Sequence, residues 1–119
     1  MPELEAVVAH LKKFRFQATT EAEFQVAIAH ALGTGGFKFR AEVRLSPKDR
    51  IDFLLDSGVG IEVKTNGTAA AAERQLRRYA ESEQVKALVL MTSRSQVAVQ
   101  PRLINGKRIR TVIFYGGLV

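Results

Sequence analysis

A chain of 119 residues without cysteine has room for one hydrophobic core and not for two, and it excludes disulfides, thiolate metal sites and cysteine nucleophiles. No run approaches the roughly 20 apolar residues of a membrane helix, and the opening Met1-Pro2-Glu3-Leu4-Glu5 is acidic where a signal peptide is basic, so an intracellular, cytoplasmic protein is expected. Eighteen Lys and Arg against twelve Asp and Glu leave a net charge of +6, which suits a polyanionic partner such as nucleic acid or, equally, a basic solubilising surface.

Leu4, Val7, Val8 and Leu11 recur at helical spacing and predict an amphipathic helix over residues 3–13. A second helix starts after Thr20, which can cap with Glu23 three residues on. It carries Glu21, Phe24, Ile28 and Leu32 on one face until the glycines of 33–36 stop it. Those glycines lack the Lys-Ser/Thr ending of a phosphate-binding loop, and helix termination explains them better.

Residues 37–45 alternate strictly, with Phe37, Phe39, Ala41, Val43 and Leu45 on one side and Lys38, Arg40, Glu42 and Arg44 on the other. This is the pattern of a half-buried strand with a charged face. Residues 50–65 read as a hairpin in which Ile51, Phe53, Leu55, Val59, Ile61 and Val63 share the apolar face and Arg50, Asp52, Glu62 and Lys64 the polar one.

After Asn66-Gly67, Thr68 can cap an alanine-rich helix over residues 69 to about 83 that displays Arg74, Arg77 and Arg78. Residues 86–92 contain a continuous apolar run suited to a central strand covered on both faces. Asn105-Gly106 marks a turn before a last strand over residues 109–115. Helices and strands in this order predict one α/β (α+β) domain over residues 1–119, a central mixed sheet flanked by helices.

The turn Asp56-Ser57-Gly58, with glycine last, sets a hairpin register in which Phe53 meets Ile61 and Asp52 lies directly opposite Glu62. Their Cβ atoms are then about 5 Å apart, and like charges so placed call for a compensating cation or a shared proton. Lys64, two residues past Glu62, projects from the same face. His10 and His30 have no acidic or second histidine neighbour at ligand spacing and read as structural. Glu42 is open, a surface charge or a further acid beside the hairpin.

Arg50-Ile51-Asp52, the hairpin and Ile61-Glu62-Val63-Lys64 resemble the signature of the PD-(D/E)XK nucleases, the superfamily of many restriction endonucleases, archaeal junction resolvases and recombination exonucleases. The resemblance spans about residues 19–92, and its one departure is Ile51 where the family name has proline. It implies a restriction endonuclease-like α-β-β-β-α-β core and a glutamate on the preceding helix, which Glu21 matches best and Glu23 second best. Gln75-Leu76-Arg77-Arg78-Tyr79 resembles the Gln-x-x-x-Tyr element of some branches, in which the glutamine lies near the active site.

The same resemblance implies an endonuclease or nickase acting on DNA with Mg²⁺, for which Mn²⁺ substitutes. Asp52, Glu62 and Glu21 would hold the ion. Lys64 would serve the attacking water and the charge developing on phosphorus, with Gln75 beside them. Lys38, Arg40, Arg44, Arg50, Arg74, Arg77 and Arg78 are the candidate DNA phosphate contacts, and a homodimer would give one site per strand. The competing expectations are a catalytically inactive nucleic-acid-binding module of the same fold and an assembly protein that uses residues 109–115 as a sheet edge with the apolar tail 116–119.

Overall fold

The computed structural model describes residues 2–114. Helix α1, Pro2–Leu11, buries Leu4, Val7, Val8 and Leu11 as their spacing requires. It ends two residues short of the expected limit. Helix α2, Glu21–Thr34, opens with a full capping box: the Thr20 hydroxyl accepts the Glu23 amide and the Glu23 carboxylate accepts the Thr20 amide. His10 on α1 donates to the Ala31 carbonyl at 2.7 Å, so it ties α1 to α2.

Strands β1 (Phe39–Arg44), β2 (Arg50–Leu55) and β3 (Val59–Lys64) form an antiparallel meander. Helix α3, Ala69–Tyr79, crosses to β4, Ala87–Thr92, which lies parallel to β3. Thr68 caps α3 through the Ala71 amide. The helix stops at Tyr79, short of residue 83, and Glu81 and Ser82 bond back to the carbonyls of Arg78 and Tyr79 in tight turns. After a short 3-10 turn at Ser95–Val97 come β5 (Arg102–Ile104) and β6 (Lys107–Ile113), in the order β1-β2-β3-β4-β6-β5.

The described residues thus form a single α+β domain, a six-stranded mixed sheet flanked by three helices. α1 and α2 cover one face, where Phe53, Leu55, Ile61, Val89 and Met91 join Phe24, Ile28 and Leu32. α3 covers the other, where Leu88, Leu90 and Ile109 meet Leu76 and Tyr79. β4 is buried at all six residues, the doubly covered strand that its apolar run predicts.

Strand β5 is absent from the sequence expectation because three residues are too few to show a period. Asn105 and Gly106 (φ 52° and 74°) supply the two left-handed positions of a tight hairpin, so the turn joins two strands. That pairing places β6 inside the sheet and makes β5 the edge, which corrects the expectation of an edge at residues 109–115. Tyr115 and the tail 116–119 lie outside the described residues. Among the described residues no helix is long and apolar enough to cross a membrane.

The strict alternation expected for residues 37–45 does not hold either. Phe39 packs on the α1/α2 side, edge-on to Phe53 with ring centres 5.6 Å apart, whereas Val43 packs on the α3 side. β2 does the same, since Phe53 faces α1/α2 and Ile51, expected beside it, faces α3.

Candidate active site

The hairpin turn Asp56-Ser57-Gly58 closes as its sequence requires, with Gly58 left-handed at φ 95° and its amide on the Leu55 carbonyl at 2.8 Å. The register Phe53 to Ile61 follows from it. One step further, at Asp52 and Glu62, side chains take over the bonding between the strands. The Asp52 amide donates to Glu62 Oε1 at 3.1 Å and the Val63 amide to Asp52 Oδ2 at 2.8 Å. Each carboxylate therefore receives a backbone donor from the opposite strand, a charge-assisted bond that fixes its direction.

Glu62 is 6 % exposed and Asp52 half-buried. Burial, and next the facing Asp52, push the Glu62 carboxyl up to about 8. Burial also raises Asp52, the Val63 amide opposes it, and Glu21 raises it further; Gln25 and Lys64 act to lower it. Both acids are thus held above their ordinary range, and ionising the pair together is costly. Lys64, half-buried at the end of β3, lowers both.

Two helices complete the arrangement. Glu21, the first residue of α2, is exposed, and its Oε1 accepts the Thr65 amide and hydroxyl, both at 3.3 Å, at the exit of β3. Glu23 is consumed by the capping box and by Thr19, so of the two helix acids it is Glu21 that faces the hairpin. From α3, the Tyr79 hydroxyl lies 3.1 Å from Glu62 Oε2 and 3.0 Å from the Arg50 carbonyl, and Gln75 Nε2 donates to it at 2.7 Å. Gln75 therefore reaches the acids through Tyr79. Burial first and the Glu62 charge second keep the Tyr79 phenol protonated.

Asp52, Glu62, Lys64, Glu21 and Gln75 come together at the carboxyl-terminal end of the parallel strands β3 and β4, the end at which open α/β sheets bind ligands. The donors are all oxygens, the set that a hard divalent cation takes. Among the described residues, however, no three acidic or histidine side chains are gathered as a ready ligand set. In kind the three carboxylates fit Mg²⁺; the oxygens of Asp52 and Glu62 are engaged by main-chain amides and by Tyr79.

Of the candidate phosphate contacts, Arg78 is paired with Asp49 at 3.0 Å and Arg77 with Glu73 at 3.3 Å, so both charges are partly answered within the fold. Arg44 donates to the Pro47 carbonyl and faces Arg50 directly across β1 and β2. Lys38, Arg40, Arg50 and Arg74 are exposed and form no ion pair among the described residues. A concavity of about 480 Å³ lies elsewhere, at the β5–β6 hairpin; its arginines Arg102, Arg108 and Arg110 are paired with Glu73 or Glu5.

Gln25 and Thr65 are the residues that sequence reasoning missed. Gln25 stands four residues after Glu21 on α2, so helical spacing placed it on the same face, but a lone glutamine carries no motif. Compared with protein-family models, curated proteins and solved structures, the chain matches none.

Proposed function

We propose that the chain is a Mg²⁺-dependent phosphodiester hydrolase of the PD-(D/E)XK type, an endonuclease or nickase acting on DNA. The observation that carries this reading is the pairing of buried Glu62 with half-buried Asp52, each acid held by a main-chain amide of the other's strand, with Lys64 two residues along β3. Like charges brought this close are costly, and a cation site is what makes such a pair useful.

Asp52, Glu62 and Glu21 would hold the ion. A bound Mg²⁺ supplies Lewis-acid polarisation of the phosphate and acidifies water. Lys64 orients the attacking water and meets the charge that develops on the phosphate oxygens as the new P–O bond forms and the leaving oxygen departs. Tyr79, held by Gln75, fixes the Glu62 carboxylate, and Gln25 steadies Asp52. The exposed Lys38, Arg40, Arg50 and Arg74 add sequence-independent attraction to the DNA backbone within a chain of net charge +6.

Digestion of supercoiled, linear, single-stranded and branched DNA with Mg²⁺ and with chelator tests the reading. Nicked or linear product that requires Mg²⁺ and Asp52 supports it. A second reading, a DNA-binding module without catalysis, draws on the lack of a gathered ligand set among the described residues. It requires DNA binding that is indifferent to Mg²⁺ and no cleavage of any substrate.

A further inference from the structure

Strand β1 contains a non-glycine residue in the left-handed region, Glu42 at φ 51°. This conformation is uncommon for glutamate and is held only where the surroundings impose it. It is also out of place in a strand, whose residues are extended.

The β1–β2 register passes this point without an inserted residue: Ala41 faces Phe53 and Val43 faces Ile51. Glu42 therefore stands opposite Asp52. On one side of this position Phe39 and Phe53 pack towards α1 and α2; on the other Val43 and Ile51 pack towards α3. Both strands exchange faces at the same step, and Ile51 comes to lie against Gly60, whose missing Cβ leaves room for the Ile51 Cδ1 methyl. At that step Asp52 leaves the ladder and turns its carboxylate onto the Val63 amide of β3.

We propose that Glu42 is a positioning residue for Asp52: its left-handed backbone inverts the side-chain alternation of β1 and β2 and thereby turns Asp52 towards Glu62. The requirement lies in the backbone and not in the carboxylate. Its mechanistic meaning rests on the nuclease reading above, but the positioning itself is readable without cleavage.

The experiment compares Glu42→Gly, Glu42→Asn, Glu42→Gln and Glu42→Val by amide hydrogen exchange at Val63, with Ile61 and Met91 as controls, and by Mg²⁺-dependent plasmid cleavage. Gly and Asn tolerate φ near +50°, Gln resembles the native residue, and a β-branched residue resists it. Val63 protection is expected to equal or exceed wild type in Gly and Asn, to match it in Gln and to fall at least tenfold in Val, with cleavage following the same order. If Glu42→Val does not fold, Glu42→Ala set against Glu42→Asn reads the same order.

Equal protection and cleavage in Val and Gly would overturn the proposal. So would equal loss in Gln, Gly and Val, which would assign the role to the carboxylate. Protection that follows the order in a protein without cleavage would uphold the positioning and count against the nuclease reading alone.

Discussion

The Tyr79 hydroxyl on α3 lies 3.1 Å from Glu62 Oε2 on β3, and through it the helix behind the sheet fixes the buried acid of the pair. Tyr79→Phe keeps the ring in its buried place but takes the hydroxyl away from Glu62 Oε2, the Arg50 carbonyl and Gln75 Nε2. A loss of about 1–3 kcal/mol in unfolding free energy is expected, the usual cost of stranding buried polar groups. Urea denaturation of the two proteins measures it, and unchanged stability would show that the hydroxyl does not hold Glu62.

Glu62 has a carboxyl raised from 4.5 to about 8 by burial and by Asp52. The folded state therefore binds a proton more tightly than the unfolded state. The resulting stabilisation is complete below pH 4.5 and is lost as pH rises through about 8. In chelator, Glu62→Gln, which mimics the protonated acid, should gain in melting temperature relative to wild type as pH is raised from 5.5 to 9. A difference between the two proteins that is constant across this range would remove the shifted carboxyl.

Millimolar Mg²⁺ or Mn²⁺ should raise the melting temperature of wild type by more than that of Asp52→Asn, because the ion relieves carboxylate repulsion only in the folded state. Equal shifts in a thermal series would place any bound ion away from Asp52.

Lys64 is assigned to water and phosphate and not to the ion. Lys64→Ala should therefore slow plasmid cleavage on the order of 10²-fold while the Mg²⁺-induced thermal shift stays close to wild type. Cleavage at the native rate would take Lys64 out of the mechanism.

Gly60 sits where a Cβ would come within 2.5 Å of Ile51 Cδ1 and 3.1 Å of Leu88 Cδ2. Gly60→Ala is expected to destabilise by about 1–3 kcal/mol through overpacking. The double variant Gly60→Ala with Ile51→Val, measured by denaturation, should recover part of the loss, since the shortened side chain gives up the clashing methyl.

Where local rules act over a few residues, the amino-acid sequence by itself determined the outcome. The Thr20–Glu23 capping box, the doubly buried β4 and the Phe53–Ile61 register set by Asp56-Ser57-Gly58 are each specified by neighbours in the chain. That pairing ends at Phe53 and Ile61, and at the next step Asp52 and Glu62 meet through their side chains and not as a ladder pair. Periodicity failed where the backbone departs from its regular conformation: alternation predicts Val43 beside Phe39 and Ile51 beside Phe53, but left-handed Glu42 sits where both strands change face. Tertiary structure decided the rest. Glu21 meets Thr65 across 44 residues, Tyr79 meets Glu62 across 17, and Arg78 finds Asp49 across 29. Such pairs exist only once helices and sheet have packed, because the burial that raises Glu62 and directs Tyr79 onto it is a property of the assembled layers and of no segment alone.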